Sequence, residues 1–561
     1  MVGLWVLAGA FYAGDIGKTR DDYTWAVNDP ATGRVALVDL WRLPLFWRPL
    51  SLITVRHLVS LTWSAPWIAN LLTALSHLLL VVVFWRWLCS LGFGLGAAVA
   101  AMLLLTLPAG YDVMHWPAAM PTALAGMLLL AGGWLVRGRP TPARWAAMGG
   151  AAFAAACFNE QATACMAALA LLPAAWSARI GQGLAEGVRW VVAIGSASVL
   201  YVLLVAATAP PGHRGGMGSL VGMDDWPPRA GSAVAGAWDQ LFGPSGVDLV
   251  LGGVQVGVGV LGLGGFSVLA ASLLLGLWWV WSARPEPACP GAMHGSRGCP
   301  AGRVRPGVLV LVGLAWLGLG LVPFVIVRTG PIEARHVYLP AMGLLLAMLG
   351  GLRWVRGVMP GVSAGLACRL AASVGVLVAG VCSVSLVGIQ TTLRVRWQMD
   401  VAEAAAIARV FPSPPAEGVV LIARAAWREA DTGRPRYDRR FWSAWQMDHI
   451  ATAVLRHQYG RKDLYAKHRF AVAFGVDAET VGQAGWTTEL SDGPAWDGGR
   501  LAARSIPWDR LVALTIEADG TVVPIDRLVF RREGRPVWSV DLPAVRAMSL
   551  PSARGFDVRL R

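Results

Sequence analysis

Most of the first 391 residues are apolar, and they are apolar in long runs. About eleven windows of predominantly apolar residues lie near 1–14, 66–87, 93–109, 121–136, 145–158, 162–178, 189–209, 256–282, 307–327, 338–354 and 370–391. Roughly 20 such residues in a helix cross the ~30 Å hydrocarbon core of a bilayer. Over all 561 residues 55% are apolar and 15% charged, against roughly 45–50% and about 25% in soluble proteins. A set of soluble domains, a disordered chain, a collagen and a coiled coil are all excluded. The pattern predicts a mainly α, polytopic transmembrane bundle of about eleven spans: a multi-pass protein of the bacterial inner-membrane type.

Some segments depart from this rule. Met1–Gly14 supplies about 21 Å of helix at 1.5 Å per residue, so either the first span is short or the sequence starts inside it. It lacks the basic n-region and small-residue cleavage site of a signal peptide. Residues 50–64, with Arg56 and His57 among apolar neighbours, read as an interfacial helix. The Gly-rich stretch 249–266 reads as a span or as a re-entrant or interfacial piece. After Arg394 the chain turns polar, so 1–392 is read as the membrane domain and 393–561 as a small α/β domain. Helical periodicity appears around 398–410 and 441–458 and strand-like runs at 418–424 and 511–516. Asp519-Gly520 and Glu533-Gly534 read as hairpin turns.

The net charge of +14 is chiefly a topology signal. Lys supplies three of the 48 basic residues, and the arginines flank apolar runs without an aromatic-interleaved stripe, so no nucleic-acid partner is implied. With a cytoplasmic N-terminus and alternating spans, inside loops carry thirteen arginines between Arg86 and Arg369, opposed by Glu186 and Glu286. Twelve carboxylates before residue 393 then fall outside, among them Asp15, Asp21, Asp22, Asp112, Glu160 and Glu333. With eleven spans the C-terminal domain is extracytoplasmic as well. Seven scattered Cys imply no disulfide framework, and Cys289 and Cys299 around His294 are better read as two loop thiols than as a metal site.

Four short motifs stand at outer ends of the predicted spans. The first outer loop holds Asp21-Asp22-Tyr23, Asn28 and then Phe46-Trp47-Arg48-Pro49-Leu50. The second reads Leu107-Pro108, Asp112, His115 and Trp116. The third is the tight turn Phe158-Asn159-Glu160-Gln161. The fourth is Glu333-Ala334-Arg335-His336-Val337-Tyr338-Leu339-Pro340.

In this order the set resembles the GT-C membrane glycosyltransferases, in particular the protein O-mannosyltransferases and their bacterial polyprenyl-phosphate-sugar-dependent relatives. Pro108, Asp112 and Trp116 keep that family's second-loop spacing, with Leu107 for His and Asp for Glu. Asn159-Glu160 stands for Lys-Glu and His336 for the first Tyr of the late motif. Asn70 matches, while the following His is displaced to His77. The resemblance covers roughly residues 10–400; the tail shows none of the family's tetratricopeptide repeats.

The resemblance implies a fold, a chemistry and partners. Such enzymes take a sugar from a polyprenyl-phosphate donor, in contact with membrane lipid, and pass it to an acceptor hydroxyl on the outer side with inversion. A carboxylate accepts the acceptor's proton, a role the resemblance gives to Asp21 or Asp22, with Asp15 as fallback. Cations stabilise the departing phosphate; Arg335 leads, a guanidinium suiting bidentate contact, with Arg48 and His336 as further candidates. Asp112, His115, Glu160 and Asn159 would orient the acceptor, Asp112 also helping to hold a divalent metal where a relative requires one. Plainer readings stand beside these: a solvated pair at Asp21/Asp22, a helix-start charge at Glu160, a span-end anchor at Arg335, and at His77 a neutral imidazole hydrogen-bonded to a neighbouring helix. The alternatives to glycosyl transfer are a transporter, a membrane anchor for the tail domain, and a glycan ligase or polymerase. The sugar, the lipid chain and the acceptor are not encoded in these residues.

Overall fold

The computed structural model describes residues 2–5, 48–62, 64–138, 141–177, 179–208, 221–283, 304–326, 332–358, 362–415, 418–425, 445, 448–461, 463–467, 480–481, 484–491, 500–517, 519–548 and 553–560. Its packing forms two compact units. One comprises Met1–Gly14, Pro44–Val55 and Ile68–Thr391; the other Asp15–Leu43, Arg56–Trp67 and Thr392–Arg561.

The first unit is a helical bundle. Among the described residues seven helices are long and apolar enough to cross a membrane: Pro66–Ser90, Pro117–Leu135, Ile180–Val205, Met223–Ser282, Pro306–Ile326, Ala334–Val358 and Gly365–Val410. An eighth crossing is formed if Gly94–Thr106 and Pro108–His115, bent by 58°, count as one span. The expected number was about eleven, and the difference has two sources. The window 1–14 lies outside the described residues apart from Val2–Trp5. The windows 145–158 and 162–178 form a hairpin of Pro142–Phe158 and Glu160–Leu169, divided at the extended residue Asn159. Its longer arm, 17 residues, reaches about 25 Å, short of the ~30 Å core. The stretch 50–64 contains the short helix Pro49–Leu61. The Gly-rich stretch runs within the helix Pro244–Ser282, interrupted at Gly262 (φ 57°, ψ −179°).

Span-end Trp side chains commonly anchor at the interface, yet Trp87, Trp190 and Trp316 are fully buried. The rings of Trp87 and Trp316 meet edge-on at 5.9 Å. With lipid outside, hydrophobicity does not drive helices together, and close packing has to. Gly253-x-x-x-Gly257 supplies it: a Cβ on Gly257 would lie 2.1 Å from the Val384 carbonyl oxygen, and one on Gly388 would lie 1.9 Å from that of Gly253.

The second unit is built on a six-stranded mixed sheet. Its strands are β1 (Val419–Ala425), β2 (Tyr465–Lys467), β6 (Leu511–Ile516), β7 (Val522–Arg532), β8 (Arg535–Asp541) and β9 (Arg554–Leu560). A separate sheet holds β3 (Thr480–Val481), β4 (Gly485–Ser491) and β5 (Arg500–Pro507). β1 pairs in parallel with β2 and β6, while β6–β7 and β7–β8 are antiparallel. The helix Asp448–Tyr459 belongs to the β1–β2 crossover, held by the Ala466 amide donating to Thr452 Oγ1 at 2.9 Å. Both expected hairpins form; at Glu533-Gly534 both residues take positive φ (51° and 81°), the twist a two-residue hairpin requires.

The glycine contact predicts a position-specific response. Gly388→Leu should lower the thermal midpoint in detergent, an overpacking cost of about 1–3 kcal/mol. Gly259→Leu, with nothing within 4 Å of its Cβ position, should leave the midpoint in place. Equal midpoints for both variants would refute the close helix contact.

Candidate functional site

The second, third and fourth motifs, with Arg48 of the first, converge at one end of the first unit. The convergence starts with the bend between Gly94–Thr106 and Pro108–His115. Leu107 is extended (φ −60°, ψ 114°), Pro108 opens a 3₁₀ turn, and Tyr111–His115 forms a further short helical turn. Proline lacks the amide that would continue the preceding helix. Asp112 and Trp116 are then one helical turn apart and reach the same partner, Arg335. Arg335 Nη1 stands 4.0 Å from Asp112 Oδ2, Nη2 pairs with Glu333 at 2.8 Å, and the guanidinium lies over the Trp116 ring at 4.9 Å. The Asp112 side chain is 4% exposed and that of Arg335 27%. Hydrogen bonds to carboxylates are formed near 2.7–3.2 Å, so the Nη1 edge is attracted to Asp112 without being bonded to it. An arginine stacked on one face and paired at one nitrogen still presents an edge to an anion.

The late motif shapes itself. Glu333 caps the 3₁₀ turn Ala334–Val337: its carboxylate accepts from the His336 amide, and the Glu333 amide donates to His336 Nδ1 at 3.0 Å. That bond places the neutral ring's proton on Nε2. His336 also packs on Phe324 with ring centroids 4.8 Å apart, so its visible work is to hold the turn that presents Arg335.

The tight turn docks on this motif. Asn159 is the N-cap of Glu160–Leu169: its Oδ1 accepts from the Gln161 amide at 3.1 Å, and its Nδ2 donates to Thr122 Oγ1 at 3.3 Å. Gln161 Nε2 donates to the Gly320 and His336 carbonyls. Glu160 is taken by Arg48, which donates from Nε at 2.6 Å and from Nη2 at 2.7 Å. Arg48 has φ 45°, a conformation that costs a non-glycine residue about 1–3 kcal/mol. The bidentate pair, together with its amide donating to Tyr201 Oη at 3.4 Å, holds it there. Burial works against the Arg48 charge, but attraction and hydrogen bonding to Glu160 outweigh it and keep the pKa above its ordinary value. Gln161, next to Glu160, reaches the carbonyl of His336, next to Arg335, so the two ion pairs stand on turns in direct contact.

His115 is buried, its Nε2 3.1 Å from Gln390 Nε2. Asn70 is buried on Pro66–Ser90. For His77, on the same helix, the described residues provide no hydrogen-bond partner. Both ring nitrogens and the Tyr338 hydroxyl are buried without a hydrogen-bond partner among the described residues, and the two rings stand 5.4 Å apart. Gly110 completes this contact, since a Cβ there would lie 2.8 Å from the Tyr338 ring. Sequence reasoning left Trp116, Glu333 and Tyr338 without roles. The four-residue step from Asp112 to Trp116 could have flagged the first; Glu333 and Tyr338 were within the motif. Tyr201 carried no signal, its partner being 153 positions away.

Asp15, Asp21 and Asp22 lie outside the described residues, as does the Cys289–Cys299 loop. Among the described residues no three His, Cys, Asp or Glu side chains gather to hold a metal ion. Asp112, the residue the resemblance would give to a divalent cation, faces Arg335.

No protein-family model matches the chain, and no curated protein does. A search of solved structures finds likeness to the crystal structure of ArnT from Cupriavidus metallidurans in the apo state. The identity is 17%, over 78% of this chain and 82% of that chain, with a TM-score of 0.36.

The Arg48–Glu160 pair predicts non-additive loss. Arg48→Gln and Glu160→Gln should each lower the thermal midpoint in detergent, and the double variant should fall little further. The coupling expected for a partly buried bidentate pair is about 1–3 kcal/mol. Strictly additive losses would show that the pair contributes nothing of its own.

Proposed function

We propose that the chain is a GT-C-type membrane glycosyltransferase. In this reading it moves a sugar from a polyprenyl-phosphate donor to an acceptor hydroxyl on the extracytoplasmic face, with inversion. The observation that carries the reading is Arg335, stacked on Trp116, paired with Glu333 and attracted to Asp112. Two chain segments more than 200 residues apart, 112–116 and 333–335, build one arginine site at an end of an apolar bundle. A transporter would place its charges near the midplane, whereas these sit at helix ends and breaks, which favours surface chemistry.

The acceptor oxygen attacks the anomeric carbon as the bond from that carbon to the phosphate oxygen breaks. The acceptor's proton passes to a carboxylate and the polyprenyl phosphate leaves as an anion. Arg335 meets that anion with its Nη1 edge, where charge develops in the transition state. Asp112 holds the guanidinium in orientation, and Trp116 supports it from the face. The resemblance assigns the base to Asp21 or Asp22, with Asp15 behind them; two adjacent loop side chains do not both point at one atom, so one is essential. Arg48, committed to Glu160 through two nitrogens, acts on this reading as a positioning residue for the 159–161 turn, with any phosphate contact secondary.

The test is release of polyprenyl phosphate from a panel of polyprenyl-phosphate hexoses and pentoses by purified protein. Arg335→Ala should cut turnover by about 10²–10³-fold, and Arg335→Lys should recover part of it. Asp21→Asn or Asp22→Asn should cut it by at least about 10²-fold with the thermal midpoint unchanged. Full turnover in all three single variants at Asp15, Asp21 and Asp22 would overturn the base assignment. Full turnover in Arg335→Ala would overturn the phosphate assignment.

A further inference from the structure

The helix Trp226–Leu241 has its polarity reversed relative to a helix on a water-facing surface. Its charged side chains, Arg229 and Asp239, are each taken up by backbone groups of the protein. Arg229 donates from Nε to the Val325 carbonyl at 3.1 Å and from Nη2 to that of Phe324 at 3.0 Å, closing the end of Pro306–Ile326. Asp239 turns back to accept from the Ser245 amide at 3.0 Å. This locks the corner at Gly243, after which Pro244–Ser282 begins. Buried Ala233 and Ala237 mark the same inner side, and a Cβ on Gly236 would lie 3.2 Å from Ile332.

Apart from Asp239, whose carboxylate turns back to the Ser245 amide, the outward side chains carry no charge. Pro227, Pro228, Gly231, Ser232, Val234, Ala235 and Trp238 are all exposed. Val234 is 61%, Trp238 64% and, at the corner, Phe242 52% exposed. At 100° per residue these positions fill one broad arc. A contiguous apolar surface of this kind on a described helix requires a covering partner. Two features name it. The surface runs on past the corner into Val247 and Leu251, exposed apolar residues of Pro244–Ser282, the 39-residue part of the apolar stretch Met223–Ser282 that follows the corner. And the helix starts beside exposed Asp224 and Asp225, which require water, while Trp is a side chain that settles at the boundary of water and lipid.

We infer that residues 226–242 form a membrane-interface helix whose Val234–Trp238–Phe242 face is covered by bilayer lipid, with Asp224 and Asp225 in the aqueous phase. Because Gly236 packs on Ile332, three positions before Arg335, the helix brings the lipid boundary to the arginine site. That it thereby fixes the side from which a lipid-borne donor meets Arg335 rests on the glycosyl-transfer reading; the lipid contact itself does not.

The experiment measures nitroxide accessibility in proteoliposomes of the full chain, with the labelled parent subtracted as background. Spin labels go on Val234→Cys, Trp238→Cys and, as the aqueous reference, Asp225→Cys. Labels at 234 and 238 should give a ratio of oxygen to nickel-chelate collisions several-fold above that at 225. Free access of the chelate to both positions would place the face in water and overturn the inference. So would exclusion of both reagents, the result expected if another protein segment or a second copy covers the face. The two Cys positions are independent, so one poorly folding variant leaves the other as the test. Loss of transferase activity in other assays would not alter these readings.

Discussion

An unpaired charge in an apolar, water-poor surrounding costs several kcal/mol, and that cost organises the end of the bundle where the motifs meet. Arg48 is held by Glu160 through two hydrogen bonds, and Arg335 by Glu333 with Asp112 behind it. Each pair joins segments far apart in the chain or pins a turn to itself. The backbone follows: Arg48 keeps a positive φ, Asn159 breaks one helix to cap the next, and Leu107-Pro108 bends a span. Removing a partner would leave a charge that the surrounding helices cannot solvate, so these residues are constraints on the fold as much as candidates for chemistry.

The two arginines divide the work. Arg48 spends its guanidinium on a bidentate carboxylate contact, which makes it a strut. Arg335 is stacked and singly paired, with an edge directed toward a carboxylate too distant to bond. An anion arriving there replaces a weak long-range attraction with a charge-assisted hydrogen bond. This difference in commitment is the reason for reading phosphate recognition at Arg335 first. His336, once a further phosphate candidate, has its Nδ1 occupied by the cap of its own turn.

What could be read from the sequence was what depends on local pattern. Apolar run length located the long helices, and Glu533-Gly534 announced a hairpin through its turn chemistry. Two of the motifs quoted from the sequence supply Asp112 and Arg335, which stand 4.0 Å apart. What could not be read depends on distance and on counting partners. Nothing in the local sequence says that Arg48 selects Glu160 112 positions away. The run near 145–178 looked like two spans because hydropathy alone does not register the helix break at Asn159. Trp87, Trp190 and Trp316 are core while Trp134 and Trp354 are exposed, a distinction that local sequence does not carry, since an indole packs a bundle interior as readily as it marks its rim. The lipid-facing polarity of Trp226–Leu241 became visible when the partners of Arg229 and Asp239 were known.

The most direct test of the central claim is a cryo-EM structure of the protein with polyprenyl phosphate bound. The account predicts the phosphate within hydrogen-bond distance of Arg335, on its Nη1 edge, with the Trp116 stack and the Arg48–Glu160 pair intact. A phosphate bound elsewhere, with the Arg335 surroundings unchanged, would contradict it.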